Sequence, residues 1–506
     1  MSALNPWFAI PTDLGSWRAR TKTAFQAEIF ALLLTMCKEE VSNYLKQTIL
    51  ICSDSKALQA ICAPRRKSEL VLECGDALEP DKKMINLVMV PRHTGKISGN
   101  ERADELARSG PMGYCQGPKL LSGISRRYLT IENILLQSLV EGFGYPFENH
   151  EVISDSGYIL SIHRIPSGIK RRQSNKRPIK KRVALFQHGL LSASDMWLFR
   201  GPKYDLPYTL ADAGYDVWLS NMRGNIYSRA HKTLNPDRDP EYWDFSLQEV
   251  AYYDFPAVLD YILNLTRQEN LYFIGHSIGS SVGMMFCSLR PEYNSKVKLH
   301  LALAPLVTHT ITLAHKLLLA PVMPLMQVAI TSRIYNVLPR RRHFSNLIEI
   351  LCNDGMPTQS LCLSIMFLLM GQDYEQFNTT TIPEAFSYFP SGTSVYLAQQ
   401  TWQFFSTGDF AALDYENELI NLHKYNKTTP PIYNLSMVTH PISLHYGEGD
   451  LIVTRKDMDS IHKKLPNPVG IFPVPFKNFN HLDFIWANDV KKLVYDRLVM
   501  IMDKYR

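Results

Sequence analysis

The segment Leu271-Tyr-Phe-Ile-Gly-His-Ser-Ile-Gly-Ser-Ser281 constrains this chain more than any other: an apolar β-type run is broken by Gly275-His276-Ser277-Ile278-Gly279 and followed by a helix-like stretch, 282–289. A serine at the tip of a tight strand-to-helix turn has its hydroxyl thrust above a sheet. Glycines flank it because side chains there would meet the neighbouring strand and helix. The following helix also points the positive end of its dipole at charge developing near the serine. Taken alone, Gly-X-Ser-X-Gly is a weak signal that also arises in helix-breaking turns. It gains force only if Ser277 has partners in the chain order that such a sheet requires.

A serine hydroxyl is a poor nucleophile near neutral pH. It needs an imidazole to take its proton, and the imidazole needs a carboxylate to fix its tautomer and stabilise the imidazolium. Residues 441–446 read as a strand that ends in Gly447-Glu448-Gly449-Asp450, which puts Asp450 on a loop at a strand end, where the acid belongs. Residues 470–474 read as another short strand, and Asn480-His-Leu-Asp-Phe484 then supplies His481 on a loop before a helical stretch, 490–502. Asp483 and Glu448 are rival carboxylates. His188 and His276 do not follow the acid in chain order and read as neighbours that pack or hydrogen-bond beside the site. Two backbone donors are needed for the oxyanion: Ile278, just after the nucleophile, and Leu190, where the strand-like 183–188 runs into Gly189-Leu-Leu191.

The resemblance then becomes specific. Gly144-Tyr-Pro-Phe-Glu-Asn-His-Glu-Val152, Gln187-His-Gly-Leu-Leu191, Trp218-Leu-Ser-Asn-Met-Arg-Gly-Asn225, Tyr227-Ser-Arg229, Tyr242-Trp-Asp-Phe-Ser246, Gly275-His-Ser-Ile-Gly279, Ser391-Gly-Thr-Ser394 and Asn480-His-Leu-Asp483 stand in family order, and from about residue 120 to 506 the chain resembles the acid lipases, the lysosomal and gastric lipase family. The resemblance implies an α/β-hydrolase fold, a mainly parallel sheet with a helical cap inserted at about 306–430, in a domain spanning 121–506. It implies a serine carboxylic ester hydrolase acting on neutral lipid esters, triacylglycerol or cholesteryl ester, through an acyl-enzyme at a lipid–water interface, with no cofactor. The family's triad falls on Ser277, Asp450 and His481, its oxyanion donors on Leu190 and Ile278, and a cap disulfide on Cys352 and Cys362. Two departures stand out: Ile278 where the family usually has glutamine, and Met222 where a small residue is common. Between residues 306 and 425 no parallel-sheet alternation appears, whereas 311–328 and 361–370 are long apolar runs, as a cap that excludes water and offers an apolar tunnel would need.

The first hundred residues differ. Ala24-Phe-Gln-Ala-Glu-Ile-Phe-Ala-Leu32, Ile49-Leu-Ile-Cys-Ser-Asp-Ser-Lys56 and Gly99-Asn-Glu-Arg-Ala-Asp-Glu-Leu-Ala107 resemble the ribonuclease H domain of a non-LTR retrotransposon, as a partial α/β segment at about 20–110. That family gathers two magnesium ions on carboxylates, and the resemblance places Glu28, Asp54 and Asp104 on three of them and His93 on a mobile histidine. No strand bearing the first aspartate precedes Glu28. A two-metal site then lacks a bridging ligand, so the segment reads as vestigial: an active form would need magnesium and would bind nucleic acid as an RNA–DNA hybrid.

The 506 residues, 45% hydrophobic, suit two or three domains: 1–110, a linker at 111–120 rich in glycine and proline, and 121–506. The net charge of +6 is mild, and its densest cluster, Lys170 to Arg182, reads as a solvated loop between strands. Residues 1–20 lack a basic start with an apolar core, and 29–37 is too short to span a bilayer, so neither signal peptide nor transmembrane segment is expected. The family implies a secreted or lysosomal glycoprotein, and Asn264, Asn378, Asn426 and Asn434 do open acceptor sequons.

Overall fold

The computed structural model describes residues 130–169, 181–307, 322–340, 351–353 and 355–506. The partial ribonuclease H-like segment and the linker lie outside these residues.

A helix α1 (Ile131–Gly142), capped by the Thr130 hydroxyl, leads into the antiparallel pair β1 (Glu148–Ile153) and β2 (Tyr158–Ile165). The strands β3 (Val183–Gln187), β4 (Asp216–Leu219), β5 (Ala230–His231), β6 (Leu271–His276), β7 (Val297–Leu303), β10 (Ile442–Tyr446) and β11 (Pro468–Pro473) complete one sheet, and β8 (Asn336–Val337) pairs with β9 (Thr393–Ser394) in a separate ribbon. The sheet order is β1-β2-β4-β3-β6-β7-β10-β11, with β5 on β2. From β4 onward every pairing along that path is parallel. β3, β4, β6 and β10 are buried along their whole length, and their sequences are accordingly apolar runs rather than alternations, because helices cover both faces of such a sheet. The helices α2 (Phe255–Thr266) and α3 (Ile278–Leu289) supply part of that cover, with Phe255, Phe273 and Phe286 packed ring to ring at 4.9 Å.

The described chain between β7 and β10 carries the β8–β9 ribbon and the helices α4 (Val322–Thr331), α5 (Gln359–Met370), α6 (Ile382–Tyr388), α7 (Val395–Thr407) and α8 (Glu418–Tyr425). Cys352 and Cys362 are joined, with 5.7 Å between their Cα atoms. The apolar run 361–370 falls within α5, which buries Leu363 and Phe367 and leaves Leu361, Ile365 and Leu368 exposed. Among the described residues no helix is long and apolar enough to cross a membrane.

The turn between β6 and α3 leaves no room for side chains at its glycines. Ser277 sits at φ 56° and ψ −127°, a conformation that costs on the order of 1–3 kcal/mol and persists only where the surroundings over-determine it. Here its N–H donates to Leu303 O at the end of β7 (2.9 Å), and the Ser280 hydroxyl donates to Gly275 O (2.6 Å). A Cβ at Gly279 would lie 2.4 Å from Gln187 O and 2.6 Å from His188 O, and one at Gly275 would lie 2.5 Å from Ser280 N. These obstacles are backbone and cannot swing aside. Gly279→Ala is therefore expected to destabilise the protein by about 1–3 kcal/mol, read as a lower urea midpoint with unchanged slope; an unaltered midpoint would mean that the end of β3 yields freely.

Candidate active site

Three loops at the carboxyl ends of β3, β6 and β10, and one after β11, converge on Ser277. The acid loop follows β10. Asp450 is almost fully buried, and its Oδ1 accepts from the amides of Ile452 (2.7 Å) and Val453 (2.9 Å). Its Oδ2 lies 2.9 Å from His481 Nδ1. A carboxylate can only accept, so Nδ1 carries the proton and Nε2 keeps its lone pair. The approach depends on glycine: a Cβ at Gly447 would lie 2.0 Å from Phe479 O, and one at Gly449 2.4 Å from Asn478 O. The acid loop and the histidine loop thus run back to back at a distance only glycine permits.

The rival carboxylates stand elsewhere. Glu448 is exposed, and Asp483 turns away into a buried contact with Asp373 from the end of α5. Ser277 Oγ and His481 Nε2 make no hydrogen bond to each other, so the expected Ser–His link is open; such bonds are often long in an unliganded site and close only around substrate.

Gly189 passes close to the serine, since a Cβ there would lie 3.3 Å from Ser277 Cβ and 3.3 Å from His276 Nδ1. The amides of Leu190 and Ile278 follow on the two sides of this crossing, and neither has a hydrogen-bond acceptor among the described residues. His188 braces the strap from beneath. Its Nδ1–H donates to Gly189 O (2.8 Å), while Nε2 accepts from the amide of Met222 (3.1 Å) and from Asn225 (3.2 Å). Burial pushes its pKa down to about 4, with the Gly189 carbonyl opposing, so the ring is neutral and its tautomer fixed. His276 likewise donates Nε2–H to His481 O (3.0 Å), and burial pushes its pKa down to about 3. Both histidines hold backbone. Met222 needs only its amide here, and Ile278 is buried, so neither departure from the family disturbs the hydrogen bonds around the serine.

The insertion reaches the site as well. Met370 O accepts from the amides of His481 (3.4 Å) and Leu451 (3.5 Å), Asn480 Nδ2 donates to Gly371 O (3.1 Å), and a Cβ at Gly371 would lie 2.0 Å from Gly449 O. Among the described residues no group of three or more His, Cys, Asp or Glu is placed to hold a metal ion. Glu28, Asp54, His93 and Asp104 lie outside the described residues. Two features escape motif reading: the Asp373–Asp483 pair and an Arg340–Asp195 ion pair of 2.7 Å. Their members come from segments far apart in sequence with no shared spacing.

A strand order of 1-2-4-3 continuing in parallel, with the serine on the sharp turn after a central strand, defines an α/β hydrolase. Residues 136–201 match the family described as partial alpha/beta-hydrolase lipase region, and residues 183–329 the alpha/beta hydrolase fold. Lipase 1 of Drosophila melanogaster is 36% identical over 369 residues, 73% of this chain and 80% of that protein. Gastric triacylglycerol lipase of Bos taurus is 36% identical over 370 residues (72% and 90%), and that of Homo sapiens 35% over 372 residues (73% and 91%). The chain belongs to the acid lipase family, and it is an ester-hydrolysing enzyme.

The Asp373–Asp483 pair has a consequence for pH. Both carboxyls are buried, Asp373 Oδ2 and Asp483 Oδ1 have no other partner, and Asn480 N–H donates to Asp483 Oδ2 (2.6 Å). Burial first, and the neighbouring Asp373 charge after it, hold the Asp483 carboxyl well above the ordinary range, so the folded pair keeps a proton that the unfolded chain releases. The folded state then binds more protons than the unfolded one. Stability from this source is fully present below the ordinary value of 3.8 and is lost as pH rises towards about 9. Asp483→Asn, which keeps the acceptor for Asn480 and adds a permanent donor for Asp373, is expected to flatten the decline of unfolding free energy across that window. An identical decline in the variant would show that the pair does not titrate there.

Proposed function

We propose that Ser277 is the nucleophile, His481 the general base and acid, and Asp450 the carboxylate that orients it, with the Leu190 and Ile278 amides as oxyanion donors, in the hydrolysis of neutral lipid esters. The reading rests on the 2.9 Å hydrogen bond between His481 Nδ1 and Asp450, which leaves Nε2 basic beside a serine set at φ 56° on its turn.

The chemistry follows from that arrangement. Nε2 takes the Ser277 proton as Oγ attacks the ester carbonyl carbon, and the electron pair displaced onto the carbonyl oxygen is met by the two amides. Collapse expels the alcohol, protonated by His481, and leaves an acyl-serine. Water then attacks the acyl carbon with His481 again as base, releasing the carboxylic acid and restoring Ser277. Throughout, Asp450 accepts from two amides and from the imidazole N–H, which holds the ring in one orientation.

For the substrate, the two gastric relatives are triacylglycerol lipases, and the inserted helices expose Leu325, Val328, Leu361, Ile365 and Leu368, apolar surface of the kind an acyl chain requires. Triacylglycerol and cholesteryl ester both fit this class, and assay of emulsified forms of each separates them. The exposed Asn264, Asn426 and Asn434 sequons suit a glycosylated, exported enzyme.

Ser277→Ala is expected to lower ester turnover on the order of a millionfold, and Asp450→Asn on the order of ten-thousandfold, with the fold intact by circular dichroism. The assignment fails if the alanine variant turns over a soluble ester at the parent rate.

A further inference from the structure

We propose that Arg340 is a positioning residue for the oxyanion site, holding Ser391 of the insertion against Leu191 and so fixing the direction of the Leu190 N–H. This rests on the assignment of Leu190 as an oxyanion donor.

Leu191 has φ 56°, an uncommon conformation for a leucine, which the surroundings must impose. Its carbonyl accepts from the Ser391 amide (2.7 Å), and the Ser391 carbonyl in turn accepts from the Ile226 amide (3.0 Å). Ser391 is therefore a rung between the Leu190–Leu191 turn and the loop after β4. The Arg340 guanidinium locks that rung. Its Nη2 donates to Ser391 Oγ (2.6 Å) and to the Tyr388 carbonyl, and lies 2.7 Å from Asp195 Oδ2. Asp195 is fully buried, accepts also from the Tyr227 hydroxyl (2.9 Å), and stands four residues beyond Leu191 on the same loop. One cation thus ties both the insertion and the far end of the loop around the donor amide. All three acceptors converge on the one nitrogen Nη2; a lysine keeps the charge but carries it on a shorter, flexible stem that does not hold the ammonium where Nη2 stands.

The motifs Tyr227-Ser-Arg229 and Ser391-Gly-Thr-Ser394, which the triad leaves without a role, meet in this clamp. An oxyanion donor acts by being held still in advance of reaction, so loosening it weakens the transition state more than substrate binding. That separates a positioning role from an ordinary buried ion pair, which supports the fold alone.

The test uses the full chain and a soluble ester, p-nitrophenyl butyrate. Arg340→Met alone would strand a buried carboxylate, so the informative variants are Arg340→Lys and the charge-balanced pair Arg340→Met with Asp195→Asn. Both are expected to lose about ten- to a hundredfold in kcat, with KM within about twofold of the parent and an unchanged circular dichroism spectrum. Their rates of inactivation by an alkyl phosphonate, which builds the same negative oxygen on Ser277, should fall in parallel. A folded variant with parental kcat, a loss confined to KM, or unfolding of both variants at the assay temperature overturns the proposal. Unchanged turnover in Ser277→Ala would instead remove the reading on which it rests.

Discussion

The site depends first on the passage of two loops against each other at glycine distance. Asp450 and His481 are carried by separate strands, and nothing in either loop alone fixes their separation. Contact between the Gly447–Gly449 backbone and the carbonyls of Asn478 and Phe479 does so, because a Cβ at either glycine would overlap those atoms. The hydrogen bond at His481 Nδ1 follows from this approach, and so does the free lone pair on Nε2. Had the loops been a side chain further apart, Asp450 Oδ2 and His481 Nδ1 would have faced burial without each other, which is costly for polar groups.

Around that contact the protein uses neutral histidines as fixed connectors rather than as proton carriers. His188 and His276 are buried, their pKa values are pushed to about 4 and about 3, and each donates to a backbone carbonyl of a site loop. A neutral imidazole with a defined tautomer offers one donor and one acceptor on opposite sides of a rigid ring. His188 uses both to join the strap after β3 to the loop after β4. Because burial keeps these rings uncharged, a proton moving at His481, as the proposed mechanism requires, would leave its supports undisturbed.

Much of this was legible in the sequence, for definable reasons. The serine turn, the acid loop and the histidine loop each carry glycines or short polar runs at the end of an apolar stretch, and such local signals survive in a one-dimensional reading. The strands β3, β6 and β10 were visible because parallel strands covered on both faces are apolar throughout. Helix α5 was visible as an apolar run, but its contact with the acid loop through Gly371 was not, since no local pattern announces which backbone another glycine will approach. Asp195 and Arg340 lay hidden for the same reason: a buried ion pair between residues 145 positions apart leaves no periodicity. Asp483 was noticed as a rival acid, yet its real partner, Asp373, belongs to the insertion and could be found only in three dimensions.

The insertion is consequently more than a cover over the serine. It touches the hydrolase body on both sides of Ser277, and the two contacts differ in kind. On the Leu190 side the link is an arginine–carboxylate pair, Arg340 with Asp195, whose guanidinium stays charged at any physiological pH. On the Asp450–His481 side, the end of α5 meets the histidine loop through Met370, Gly371 and a carboxyl pair that must retain a proton to remain paired. Raising the pH therefore loads repulsion onto only one of the two contacts, the one beside Asp450 and His481. The asymmetry arises from two buried aspartates whose carboxyls face each other in place of a cation.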